Sequence, residues 1–213
     1  MQELKQYDHR DDLIRDLNNL IGEGRGVEVG VFKGEFSRLI LQNWVGTLYM
    51  VDVWKPLGGE YDDYANHKNH NDPYKNAIDN TDSFGDRGIM IRTNSKKASE
   101  MFEDESLDFV YIDANHSYNF VKEDIKIWFP KLRKGGIMSG HDYINIDWYN
   151  EPHWDSNGID KPIFTYIYEN GVEVDFIFSG NFGVNPAVDE FCKENDYKLN
   201  LTKEWFGTWW LIK

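Results

Sequence analysis

Apolar residues recur at helical spacing at Leu13, Ile14, Leu17, Leu20 and Ile21, and the pattern stops at GEGRG, predicting a helix over residues 10–21. A short apolar run, VEVGV (27–31), follows, then an amphipathic GEFSRLILQNW (34–44) and a second run, TLYMVDV (47–53). From Trp54 to about Asp86 the chain is polar and rich in Gly, Asn and Asp, with a helix predicted near Tyr74 to Asn80. Alternation then resumes. Strand IMIRT (89–93), helix KKASEMFE (96–103), strand LDFVYID (107–113), a helix over about 119–129 halted by Pro130, and strand GIMSGHDY (136–143) come in turn. Apolar strands alternating with helices predict an α/β fold, a parallel sheet covered on both faces.

After Tyr143 the regularity breaks. Residues 144–182 carry Trp148, Trp154, Tyr166 and Tyr168 among Asp147, Glu151, Asp155 and Asp160, then an alternating run VEVDFIF (172–178). Regular patterning returns with helix NPAVDEFCKEN (185–195) and strands YKLNLT (197–202) and GTWWLIK (207–213). With no repeat and no linker, the chain reads as one domain over 1–213, with an insertion at about 144–182 packed against the ligand edge of the sheet. The aromatic residues among acids there fit a lid over a polar ligand.

Composition narrows the partners. A chain of 213 residues, 40% hydrophobic and 15% aromatic, can bury a substantial core. Its formal charge of -14 argues against nucleic acid, which needs clustered Lys and Arg; the local group Lys131, Arg133, Lys134 falls in a predicted loop. The polar, acidic start is unlike a secretory signal, and no apolar run is long enough to cross a bilayer, so a soluble, cytoplasmic protein without membrane contact is expected. The single Cys192 forbids an internal disulfide and reads as a small core residue of its helix. A homo-oligomer stays open.

In open α/β sheets ligands bind beyond the carboxyl ends of the strands. The predicted strands end in Glu28 and Gly30 (with Gly34 beyond); Asp52; Thr93, Asn94 and Ser95; Asp113, Asn115 and His116; and His141 and Asp142. Acids near four strand ends in turn exceed what turn chemistry explains. Gly30 allows a tight turn and close approach to a ligand, while Gly34 opens the helix. The dinucleotide fingerprint is absent, because the glycines of GEGRG precede the strand. Glu28 would repel a pyrophosphate but suits a cationic cofactor. S-adenosylmethionine, with its sulfonium and ammonium groups and no phosphate, fits that requirement, and Asp52 suits its ribose hydroxyls.

The stretches VEVGVFKGEFS, YMVDVW, LDFVYIDANHSYNFVKEDIKIWFPKLRKGGIMSGHDY and AVDEFCKEN…GTWWLIK resemble class I S-adenosylmethionine-dependent methyltransferases. The resemblance is closest to the branch of metal-dependent sugar O-methyltransferases and cephalosporin-hydroxylase-like proteins. It implies a Rossmann-like, mostly parallel seven-stranded sheet with a reversed last strand and helices on both faces. It also implies cofactor contacts at Glu28, Gly30, Asp52, Asn94 and Ser95, and Gly34 is counted with them as a cofactor-binding residue. A divalent metal would be held at Asp113, His141 and Asp142, with the catalytic base at Asn115 or His116. The chain departs from that branch twice: Asn115 stands where some members keep an acid, which moves the base to His116, and His141 opens the acidic pair.

A sugar hydroxyl is a poor nucleophile until deprotonated, a task for a metal and an imidazole together. Asp113 and Asp142 favour Mg²⁺ or Ca²⁺, while His141 tilts the site towards Mn²⁺. Asp113 could instead cap the following helix, His116 could be a structural hydrogen-bonder, and His67 and His70 offer helical ligand spacing in a polar loop. The expected function is a metal-assisted, S-adenosylmethionine-dependent O-methyltransferase acting on a small acceptor such as a sugar. Its rivals are a metal-independent methyltransferase and a non-catalytic cofactor-binding domain.

Overall fold

A computed structural model describes residues 5–55, 71–144 and 183–213, with the backbone of two further strands at 163–167 and 173–177. In chain order the elements are α1 (Arg10–Ile21), β1 (Arg25–Val29), α2 (Glu35–Asn43), β2 (Thr47–Asp52), α3 (Asn71–Thr81), β3 (Gly88–Arg92), α4 (Ser95–Ser99) and β4 (Leu107–Ile112). There follow α5 (Tyr118–Trp128), β5 (Leu132–Ile144), β6 (Ile163–Ile167), β7 (Glu173–Ile177), α6 (Val184–Asn195), β8 (Asn200–Leu201) and β9 (Phe206–Ile212).

Seven strands form one sheet in the order β3-β2-β1-β4-β5-β9-β8. β1 to β5 run parallel, and β9 enters antiparallel between β5 and β8. This is the Rossmann-like methyltransferase sheet with its reversed last strand. The strand order reverses beside β1, so β1 and β4, which leave in opposite directions along the sheet, open a crevice between their following loops.

Each face of the sheet carries its own core. On one, Trp44, Ile40, Leu41 and Leu17 of the α1–α2 side pack with Phe109, Tyr111 and Trp210; on the other, Trp128, Ile125, Val188 and Ala187 of α5 and α6 pack with Val110, Met138 and Trp209. Neighbours Trp209 and Trp210 serve opposite faces, as the two-residue period of a strand requires.

Several elements depart from the sequence reading. α4 stops at Ser99 instead of 103, because Phe102 folds back against Tyr49 and Trp128, at 5.0 and 5.6 Å between ring centroids. β5 begins at Leu132, so Arg133 and Lys134 are strand residues and not a loop, and Arg133 pairs with Asp108 at 2.5 Å while Lys131 pairs with Asp104 at 2.7 Å. β8 shrinks to two residues because the Thr202 hydroxyl, in place of a carbonyl, accepts the Thr208 N–H at 2.8 Å. The alternating run at 172–178 is strand β7, paired antiparallel with β6 in a separate two-stranded sheet. Trp148, Trp154, Tyr168, His67 and His70 lie outside the described residues. Cys192 is buried on α6, and burial, with Asp189 nearby, pushes its thiol up to about 11, as befits a core residue.

Candidate active site

Beyond the carboxyl ends of β4, β1, β2 and β3 lies a cavity of about 630 Å³. Glu28, Gly30, Asp52, Asn94, Ser95, Asp113, Asn115 and His116 all line it, so most of the residues singled out by strand position share one space. Gly34, His141 and Asp142 are not on its wall.

The β1 end is built by close backbone approach. Gly30 donates to Val51 at 2.9 Å, Asp113 donates to Val29 at 2.8 Å, and Gly30 adopts φ 91°. A Cβ there would lie 1.9 Å from the Asp113 carbonyl oxygen, so glycine is required by the neighbouring strand end as well as by any ligand. Gly34 makes a second close approach, to α3. It precedes α2 at φ 73°, and a Cβ would come 2.9 Å from the Cα of Ala77 on α3.

Asp52 ties this turn to β2. One carboxylate oxygen accepts the N–H groups of Val31 (3.1 Å) and Phe32 (2.9 Å), and the other accepts that of Trp54 at 2.8 Å. Ribose recognition would therefore use the lone pairs left over. Glu28 is 1% exposed and accepts a short hydrogen bond from the Ser37 hydroxyl of α2. Burial pushes its carboxyl up to about 8; Ser37 opposes the shift, and Asp113 adds to it. Such a group holds its proton until a cation arrives.

At the β3 end, Asn94 caps α4 by accepting the Lys97 N–H at 2.9 Å, which gives it a structural role beside any ligand contact. Ser95 donates to Asp124 of α5 and accepts from the Trp128 indole at 2.8 Å. Burial pushes Asp124 up to about 7. Sequence reasoning missed this residue, whose only signal was an acid on the inward side of an otherwise apolar helix face.

At the β4 end, Ser117 is the N-cap residue of α5, so Asp113, four positions earlier, is no helix cap. Asn115 accepts from the Ser117 N–H (2.9 Å) and hydroxyl (2.6 Å), a turn-forming role. His116 Nε2 lies 2.9 Å from Asp142 and 3.5 Å from Asp113. Burial alone would lower the His116 pKa, but the two carboxylates outweigh it and hold the imidazole well above its usual value.

His141 and Asp142 reach this point through a bulge. β5 pairs Gly140 with Trp209 and Tyr143 with Gly207, so His141 and Asp142 together oppose the single residue Thr208. Asp142 adopts φ 60° within it. His141 Nδ1 stands 3.2 Å from its carboxylate. Desolvation would raise Asp142, yet His116 and His141 together keep it below the usual carboxylate range; His141 is in turn raised, Asp142 outweighing burial. Asp113, His141 and Asp142 each offer one ligand atom, all within 4.8 Å of one another.

Arg10 also lines the cavity, although no strand-end position points to it. It is the first residue of α1, a position where a cation opposes the helix dipole, and that misfit was the one available signal. Its guanidinium stacks over Phe36, 4.6 Å from the ring centroid, and lies 3.9 Å from Asp113. The start of α1 is pinned from the far end of the chain: the Arg10 N–H donates to Glu204 at 2.8 Å, and Lys203 pairs with Asp8 at 2.7 Å.

Residues 27–143 match the profile of a methyltransferase domain family. The chain superposes on an O-methyltransferase from Bacillus cereus, solved in complex with SAH, with a TM-score of 0.56 at 12% identity over 96% of this chain and 80% of that one. A Staphylococcus aureus protein assigned as a caffeoyl-CoA O-methyltransferase gives 0.62 at 16% identity, over 95% and 82%. At such identities the likeness is one of fold. An uncharacterised protein of Sinorhizobium fredii, y4gI, is 34% identical over 53 residues, 25% of this chain and only 6% of that much longer relative. With the sheet order, the strand-end acids and the family profile in agreement, the chain belongs to the methyltransferase domain family and carries the fold of the class I, S-adenosylmethionine-dependent enzymes.

Proposed function

We propose that the protein transfers the methyl group of S-adenosylmethionine to a hydroxyl of a small polar acceptor, such as a sugar, with a divalent ion assisting. The observation that carries this reading is the junction of two sites. The cavity lined by Glu28, Gly30 and Asp52 ends at Asp113 and His116, beside the donor set completed by His141 and Asp142.

The buried Glu28 carboxyl and the close backbone cradle at Gly30 fit a compact cation without phosphates. Bound S-adenosylmethionine would supply a methyl group activated by its sulfonium. Two carboxylates and one imidazole within 4.8 Å suit Mg²⁺, or Mn²⁺ through His141. A bound ion would acidify and orient the acceptor hydroxyl.

The remaining work falls to the chain. Asp52 fixes the β1–α2 turn through two backbone N–H groups and the chain after β2 through a third, so that the wall proposed for the cofactor is in place before binding. The base we assign is His116, whose Nε2 faces Asp142 and Asp113 at the end of β4. It can take the hydroxyl proton only when Asp113 and Asp142 are engaged elsewhere, since their charge otherwise keeps it protonated. A metal-independent reading draws on one observation: Arg10 and His116 already stand against Asp113, and His116 against Asp142 as well.

The test is a tritiated-methyl transfer screen against sugar acceptors, before and after dialysis with EDTA and with Mg²⁺ or Mn²⁺ restored. Activity lost on chelation and regained with the ion is expected. Activity indifferent to both retires the ion. SAH binding by calorimetry with no acceptor ever labelled would make the protein a cofactor-binding domain.

A further inference from the structure

The amino-acid end of S-adenosylmethionine is a zwitterion, and the cavity answers only half of it in the strand-end residues. Glu28 offers an anion to the ammonium and sulfonium groups. The α-carboxylate, in contrast, would meet Glu28 and Asp113, both acids, unless a cation stands between. Lys33, Lys55 and Lys96 also line the cavity, but from the loop after β1, the chain beyond β2 and the start of α4.

Arg10 stands where a carboxylate partner is needed. It lines the same cavity, approaches Asp113 to 3.9 Å, and its charge bears on Glu28. Its guanidinium lies over the Phe36 ring at 4.6 Å, which supports the flat face; one N–H bonds Tyr111, and a guanidinium has further N–H groups for a planar acceptor. Its backbone is held to Glu204 at 2.8 Å, so little ordering remains to be done on binding.

We propose that Arg10 and Glu28 together read the zwitterionic end of the cofactor, Arg10 receiving the α-carboxylate and Glu28 facing the ammonium. This rests on the proposed S-adenosylmethionine reading and adds a binding residue from outside the sheet. α1 thereby becomes part of the cofactor site, and cofactor binding becomes coupled to the docking of the N-terminal helix on the turn between β8 and β9.

The experiment compares two ligands that differ in the amino-acid end alone. SAH carries the aminocarboxylate; 5′-methylthioadenosine lacks it. Calorimetric Kd values are measured for both with the wild type, Arg10→Gln, Arg10→Met and Arg10→Lys, and thermal melts check that each variant is folded. Arg10→Gln and Arg10→Met are expected to weaken SAH by about 10- to 100-fold, the scale of one lost charge-assisted interaction, and to leave methylthioadenosine within about threefold. Arg10→Lys should recover part of the loss. Equal weakening of both ligands, or SAH binding unchanged in folded Arg10→Gln and Arg10→Met, overturns the inference and leaves the cofactor reading intact. Failure of the wild type to bind SAH at all overturns both.

Discussion

Replacing Glu28 by Gln should make the ligand-free protein more stable, and increasingly so as pH rises. The side chain keeps its shape, and its amide oxygen can still accept from Ser37, so the change removes chiefly a titratable group. In the folded chain Glu28 holds its proton up to about 8, against 4.5 when unfolded. Between those values the folded state binds more protons than the unfolded one, so stability must fall as pH rises through this window and level off above it. For this shift, the linkage relation gives a loss of about 1 kcal/mol at pH 5, about 3 at pH 7 and about 5 at pH 9. Urea unfolding of the wild type and Glu28→Gln at the three pH values, without ligand, measures it. Groups remote from Glu28 titrate alike in both proteins and cancel in the difference. That difference should widen by several kcal/mol between pH 5 and 9, while the variant binds SAH less tightly. A difference flat with pH would refute the claim that Glu28 is a buried acid held neutral in the ligand-free protein.

Gly30→Ala places a Cβ 1.9 Å from the Asp113 carbonyl at φ 91°, and should cost at least about 3 kcal/mol in urea unfolding as β1 and β4 are pushed apart. Asn185→Ala removes the side chain that donates to the Ile144 carbonyl (2.9 Å) and accepts its N–H (2.8 Å), and should cost about 2–5 kcal/mol by the same measurement. His116→Asn should lower kcat by about 10²- to 10⁴-fold in the acceptor assay, with the KM for the cofactor little changed. A KM effect alone would assign His116 to binding.

Much of the sheet was legible because its signal is local. A strand buried on both faces needs consecutive apolar residues such as Phe109 to Ile112, and an amphipathic helix needs the spacing seen from Leu13 to Ile21; both are readable in a short window. Strand ends then name Glu28, Asp52, Asp113 and Asp142 as neighbours, because a parallel sheet puts its carboxyl ends on one edge. Even the Cys192 reading follows from its place in a helical pattern.

What the pattern could not carry are relations of distance across the chain. Arg10 enters the cavity because Glu204, 194 residues away, pins its helix. His141 and Asp142 turn towards Asp113 because β9 offers Thr208 alone against both of them, a mismatch of registers that neither strand shows by itself. Gly34 stands against Ala77, brought up by α3, a contact no local pattern announces. The Asn115 oxygen belongs to Ser117, a turn that the sequence position alone does not announce. Local periodicity records which face of an element is buried. Which side chain meets which other is settled only when the elements pack, since that depends on loop lengths, strand register and the direction in which each helix returns.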